Sequence, residues 1–285
     1  METKTNKTNF FKKIYISLFK IKEYNLLTQE GLKKSIYYIL DILLILSLIY
    51  AGIFIFQMKK NVNSLKSYLQ EKLPELTYLE GTLTSENEEE IILDNDLVKI
   101  NFGGQIVIDT KTDYETLVNK YKENKQATIL LTANKYTTIS SQGQVLEYSY
   151  DEVLEKYLGQ QVKSLDKEEM LYLFDNISYT YYFFAYALSY CIAHSLLVFA
   201  YDLLISLFAF IICKVKKVAI KFTEIYSMGL YAMTIPVICY FIINFIPASV
   251  GIYIQVISTI IPIIYLTVAI YTTKWITPEM TKKNK

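Results

Sequence analysis

The chain reads as an α-helical integral membrane protein with four transmembrane helices and a small α+β extracytoplasmic domain between helices 1 and 2. Three observations predict this. Of the 285 residues 52% are hydrophobic, and they gather in three nearly uncharged blocks, Ile36 to Met58, Ile177 to Cys213 and Met228 to Thr273. A helix needs about 20 apolar residues to cross a bilayer core, so each block is long enough. The last block is broken at IPASVG, Ile246 to Gly251, a Pro/Gly turn signal that makes it two spans. Finally, the 29 basic residues are all lysines, and 16 of them cluster in the N-terminal tail, in 214–221 and in the C-terminal tail. By the positive-inside rule those three segments are cytoplasmic, which requires an even number of spans.

Residues 1–35 form a cytoplasmic amphipathic segment. Phe10, Phe11, Ile14, Tyr15, Leu18 and Phe19 recur at helical spacing beside Lys12, Lys13 and Lys20, a pattern that lies along the inner leaflet against anionic lipid. Transmembrane helix 1 covers 36–58. Its run is longer than a signal-peptide core and no small-residue cleavage site follows, so it is not a cleavable signal.

The extracytoplasmic domain, 59–177, carries 13 lysines and 21 acidic residues, a net charge of −8. Such a surface facing outward excludes nucleic acid as a partner. All three cysteines lie outside it, so it stands on its own core without disulfides. Period and punctuation predict a helix from Asn61 to Leu73 stopped by Pro74, then a strand over TYLEGTLT. LVKINF and QIVIDT, joined by Gly103 and Gly104, read as a hairpin, as do YTTIS and QVLEYSY across Ser141 to Gly143. Thr112 with Glu115, and Ser149 with Glu152, have the spacing of capping boxes that open helices. A last helix, Lys167 to Asn176, leads into the second span.

Residues 178–213 are read as a long helix containing transmembrane helix 2, measured back from Lys214, Lys216 and Lys217. Its upper third, YTYYFFAYALSY, is a tyrosine-rich interfacial run. A hairpin turning near His194 is the alternative. A cytoplasmic loop (214–227), helix 3 (228–246), helix 4 (252–273) and a cytoplasmic tail (274–285) complete the topology of a cell-membrane protein with both termini in the cytoplasm.

Chemistry is sparse. The external domain has no His and no Cys, which removes Ser-His-Asp and Cys-His triads and zinc sites built on those ligands. GxSxG, HExxH, CxxC and Walker patterns are absent, and IDTK at Ile108 to Lys111 lacks the glycine and the second copy that an aspartic protease needs. Without arginine there is no bidentate fork for phosphate. The acidic run ENEEEIILDND, Glu86 to Asp96, fails EF-hand spacing and reads as two solvated turns around a short IIL strand. No catalytic residue, metal site or cofactor is expected.

The polar residues inside the apolar blocks are the remaining candidates. Asp202 interrupts SLLVFAYDLLISLFAFIICKVKK. A central aspartate costs about 2.5–3.5 kcal/mol on the insertion scale, and Leu, Ile, Val and Phe return about 0.3–0.6 each. Twelve of these lie between Leu196 and Ile212, together about 4–7 kcal/mol, so the helix inserts despite the charge. Ser206, one turn on, is placed to share a hydrogen bond with it. An interhelical hydrogen bond and a functional proton or cation site both remain open for Asp202. Asp41, near the start of helix 1, is read as facing cytoplasmic water and the positive helix end. His194 is placed at the outer interface, with a proton relay as the alternative. Asn244 and Gln255, with Ser258 and Thr259, are read as packing groups in the outer halves of helices 3 and 4, with a small polar cavity as the alternative.

FFKKIYISLFK, QEGLKKSIYYILDILL, LPELTYLEGTL, QIVIDTKTD and YSMGLYAMTIP occur in this order. They resemble the ordered landmarks of an uncharacterised family of bacterial multipass membrane proteins, found mainly in Gram-positive lineages, of which one member carries the name maltodextrin utilisation protein. The resemblance spans roughly residues 10–272, and the AMTIP segment is similar to one in Yip-type membrane proteins. It implies a four-helix membrane protein with one extracytoplasmic domain and no particular reaction. The expected function is therefore non-enzymatic. The external domain would bind or sense a partner, such as a transporter whose solute or sugar uptake the protein assists. A small proton- or cation-coupled transporter using Asp202 is the alternative.

Overall fold

The computed structural model describes residues 8–159 and 161–272. In chain order the elements are α1 (Phe10–Phe19), a 3-10 turn (Ile21–Glu23), α2 (Tyr24–Thr28), α3 (Leu32–Lys72), β1 (Leu76–Leu79), β2 (Thr82–Ser85), β3 (Ile91–Leu93), α4 (Asp96–Phe102), β4 (Gln105–Ile108), α5 (Tyr114–Glu123), β5 (Thr128–Leu131), β6 (Tyr136–Ile139), β7 (Val145–Tyr148), α6 (Tyr150–Leu158), β8 (Ser164–Asp166), α7 (Lys167–Tyr172), α8 (Tyr179–Val215), α9 (Phe222–Ala232), α10 (Thr234–Ile243) and α11 (Ala248–Thr272). They divide into a helical unit, residues up to Phe54 plus Thr180 onward, and a sheet unit, Ile55–Tyr179.

Among the described residues four helices are long and apolar enough to cross a membrane: α3, α8, the α9–α10 pair and α11. α3 has 41 residues and α8 has 37, about 60 and 55 Å at 1.5 Å per residue. Each is thus nearly twice the ~30 Å hydrocarbon thickness. Residues 36–58 and Asn61–Leu73, expected as separate helices, are one continuous helix, because neither Gly nor Pro interrupts the chain before Pro74 except Gly52, which helices tolerate. α8 likewise runs unbroken through His194, where a hairpin was the alternative. The expected loop 214–227 ends early, since α9 begins at Phe222: Glu224 bonds back to the Lys221 amide at 2.9 Å and secures the first turn. Near Pro236, which removes one ladder donor, the helix is broken by a one-residue turn at Met233.

The α9–α10 pair is the most buried of the four, 61% over its apolar stretch against 22–28% in the others. Its Ile225, Met228, Leu230 and Tyr231 form a common core with Ile39 and Leu43 of α3, Val198 and Ile205 of α8, and Leu266 and Ala269 of α11. The N-terminal segment joins this core. Ile16, Tyr24 and Leu27 are fully buried, Tyr24 donates to the Ser17 carbonyl at 2.7 Å, and Tyr265 of α11 donates to the Leu18 carbonyl at 3.0 Å. Glu30 holds the segment in place by accepting from Lys13 Nζ at 2.6 Å and from the Thr8 amide at 3.1 Å. Elsewhere Tyr50 of α3 gathers Tyr186 and Tyr190 of α8, Phe241 of α10 and Phe245 just after it, with ring centroids 4.9–6.3 Å away. Two members of the tyrosine-rich run therefore serve as packing rings.

The sheet unit contains a three-stranded sheet, β2-β1-β8, and a five-stranded sheet, β3-β4-β5-β6-β7. β4 and β5 are parallel and the other pairs antiparallel. A parallel pair needs a crossover, and α5 supplies it. One face of the larger sheet places Val107, Leu130 and Ile139 against Leu117, Val118 and Tyr121 of α5. On the other face Ile106 and Ile108 pack with Leu65 and Leu69 of α3, Tyr78 and Tyr150.

Several local expectations change here. TYLEGTLT is a hairpin of two strands, with Glu80 and Gly81 both at positive φ, 44° and 88°, as a two-residue type I′ turn requires. LVKINF is helix α4: Asn95 caps it by accepting from the Val98 amide at 2.9 Å, and Gly103 ends it in the left-handed region. α5 is capped by Asp113, not Thr112, whose amide is instead taken by Asp109 at 2.9 Å. The Ser149–Glu152 capping box and the β6–β7 hairpin are present.

Candidate functional site

α8 is apolar nearly all round, yet only one of its faces is buried, through Val198, Asp202, Ile205, Ser206 and Cys213. These lie at i, i+4, i+7, i+8 and i+15, one stripe of a 3.6-residue helix. The opposite side, Leu196, Leu197, Leu203, Leu204, Leu207 and Phe208, is exposed. The polar stripe therefore faces inward and the leucines outward, the reverse of a water-soluble surface helix.

Asp202 and Ser206 each have 0% of their surface exposed. Ser206 Oγ donates to Asp202 Oδ1 at 3.1 Å, while Asp202 Oδ2 has no hydrogen-bond partner among the described residues. What makes room for the carboxyl is Gly229 of α9. A Cβ there would run into Asp202 Oδ1 and come within 2.8 Å of its Cγ and 2.9 Å of Ser206 Oγ. Small residues let membrane helices approach closely, and here the closeness seats an acid against a glycine Cα. Elsewhere in the helical unit Tyr38 Oη and Thr234 Oγ1 are 2.9 Å apart, Thr234 Oγ1 also donates to the Tyr231 carbonyl at 2.8 Å, and the Tyr38 and Tyr231 rings lie 4.8 Å apart. Ser227 Oγ and Tyr231 Oη are buried without partners among the described residues.

The structure brings Asp202 and Ser206 together and gives the other candidates separate surroundings. Asp41 is exposed and borders a small notch with Lys13, Lys34 and Tyr37. His194 Nδ1 meets its own helix at the Tyr190 carbonyl, 2.9 Å away, and its ring stacks on Tyr190 at 3.8 Å. Asn244 is exposed and donates to the Tyr240 carbonyl at 2.9 Å. Gln255 is exposed, and its carbonyl accepts from Ser258 and Thr259. Gly229 escaped the sequence reading, although it lies within the YSMGLYAMTIP landmark; a glycine inside an apolar helix is the signal that could have marked it.

In the sheet unit two acids, Glu90 and Asp109, are held by local partners. Glu90 accepts from Lys120 Nζ at 2.5 Å and Tyr121 Oη at 2.6 Å, and among the described residues no three metal-ligating side chains converge. Asp109, 6% exposed, accepts from the Lys111 and Thr112 amides, both at 2.9 Å. Burial pushes its carboxyl up, but the bonds from Thr112 and Lys111, with Lys120 nearby, outweigh that and hold it below the usual range. IDTK is thus a turn held by its own aspartate.

The fold defines a class: a helical protein with four helices of membrane-crossing length and a mixed sheet unit between the first two. Residues 11–270 match the family described as Protein of unknown function (DUF1189), and the chain belongs to that family. No curated protein and no solved structure matched the chain.

Proposed function

We propose that this is a multipass cell-membrane protein whose sheet unit lies outside the cytoplasm and binds or senses a partner, without catalysing a reaction. The observation that carries the reading is the placement of charge. The described lysines outside the sheet unit lie at the start of α3, in α1 and the turn after it, at the end of α8 and at the start of α9. In an up-and-down bundle those ends share one side, and Lys216 Nζ, 2.9 Å from Tyr271 Oη, ties the end of α8 to the end of α11. The net −8 between Lys59 and Ile177 then belongs to the other side. The resemblance to a family with a maltodextrin-named member suggests that the partner takes part in solute uptake.

A second reading makes the protein a small proton- or cation-coupled transporter, favoured by Asp202 Oδ2, which has no hydrogen-bond partner among the described residues. The two separate at Asp202→Asn, which keeps the shape, an acceptor for Ser206 and a polar group at Oδ2, but carries neither proton nor charge. Under the binding reading this variant complements a deletion strain and melts in detergent as the parent does. Failed complementation with unchanged melting replaces the binding reading with the transporter.

A further inference from the structure

The two edges of the five-stranded sheet differ in how they are protected. β3 has three residues and stands between Glu88, Glu89 and Glu90 on one side and Asp94 and Asp96 on the other. Among the described residues β7, Val145–Tyr148, pairs only with β6. It contains no proline and no lysine, its one charged residue, Glu147, is tied to Lys135 Nζ at 2.6 Å, and Leu146 and Tyr148 are 57% and 39% exposed. In an antiparallel pair every second residue turns its N–H and C=O away from the partner. Two of the four β7 residues therefore present donors and acceptors to the outside, as an unblunted edge does.

A groove of about 400 Å³ crosses β5 and β6 on the sheet face opposite α5 and reaches that edge at Leu146. Register puts Tyr136 opposite Tyr148 and Thr138 opposite Leu146, and these side chains with Ile129 continue the face on which Tyr78 and Tyr150 pack farther along. Phe102 of α4 and Gln144 of the hairpin close the groove, and no charged side chain lines it.

Only a polypeptide offers donors and acceptors repeated at strand spacing, and only an extended one sends alternate side chains to one face of a sheet. We propose that β7 and this groove form an acceptor site for an extended partner segment with alternating apolar side chains. The segment adds as a sixth strand beside β7 and sets its apolar side chains against Leu146, at the open end of the groove, and Tyr148. This rests on the proposed binding role of the sheet unit and names its partner's chemistry.

The test uses the full chain in lipid nanodiscs, with empty nanodiscs as control. The probe is a fluorescent synthetic octapeptide of alternating leucine and threonine, read by anisotropy. A second peptide is N-methylated at alternate residues, which removes strand-pairing donors and leaves the side chains. Leu146→Lys places a charge in the groove at an exposed position, and Ile92→Lys, on β3 and 48% exposed, is its control. We expect saturable binding that weakens by about tenfold or more with the methylated peptide and with Leu146→Lys, and stays within about twofold with Ile92→Lys. Equal binding of the methylated peptide overturns the proposal, as do an equal loss in Ile92→Lys, no saturable binding, or a β7-dependent dimer of the chain in place of peptide binding. Should Leu146→Lys not fold, the two peptides on the unaltered chain still decide. Because nanodiscs expose both sides of the membrane, a wrong orientation of the sheet unit would leave this result intact and appear only in cell-surface labelling.

Discussion

Gly229→Ala is a perturbation whose sign is diagnostic. In an open helix the change is favourable by about 0.8–1 kcal/mol, since alanine is the better helix former. At this position the new Cβ collides with Asp202 Oδ1 and falls 2.9 Å from Ser206 Oγ, where ordinary contact begins near 3.4 Å. The carboxyl must leave its rotamer or α8 must move outward by more than about an ångström. Overpacking of this kind costs about 1–3 kcal/mol, and disturbing the Ser206 bond adds to it. Together the terms give a net loss of about 1–2 kcal/mol. Reversible unfolding of the full chain in mixed micelles measures it, and Asp202→Ala in the Gly229→Ala background is the control. Removing the carboxyl makes room for the methyl, so the two substitutions should couple favourably by about 1 kcal/mol or more. A Gly229→Ala protein more stable than the parent, or additive effects in the pair, would refute the close seat of Asp202 on α9.

Other substitutions probe the sheet unit. Gly104→Ala sends a Cβ into the Ala127 backbone, within 2.6 Å of its carbonyl carbon; backbone cannot swing aside, and melting should show a loss of about 1–3 kcal/mol. Asp109→Ala leaves the Lys111 and Thr112 amides without their acceptor, for about 1–3 kcal/mol at pH 7. Because Asp109 is held below its ordinary range, its contribution is present above the unfolded value and lost as pH falls through the folded one. The gap between parent and variant should thus close below about pH 4, and a gap unchanged at pH 3 would count against it. Ser149→Ala removes the cap of α6 and should cost about 1 kcal/mol by the same measurement.

Length and composition made the apolar helices legible, because nothing but a long helix accommodates runs such as Tyr179 to Val215 without a breaker. Local chemistry was legible where one residue decides it, as at Pro74 or the Ser149–Glu152 box. LVKINF misled because its apolar residues satisfy both periods; the arbiters were Asn95 and Gly103, cap residues just outside the run. TYLEGTLT misled because alternation continued through Glu80–Gly81, whose turn conformation reverses the chain without breaking the pattern. β5, only four residues of TILL, passed unnoticed. At the candidate site Asp202 and Ser206 were visible as polar residues one turn apart, but Gly229 was not, since a helix–helix contact leaves no periodic trace in the chain between its partners.

The central claim is that the sheet unit and the α8–α9 loop lie on opposite sides of the cell membrane. It is tested most directly by single cysteines at Glu88 and at Lys217, in a background lacking the three native cysteines, treated in intact cells with a membrane-impermeant maleimide. The account predicts labelling of Glu88→Cys from outside and of Lys217→Cys only after the membrane is permeabilised. Labelling of Lys217→Cys in intact cells, or protection of Glu88→Cys, would contradict it.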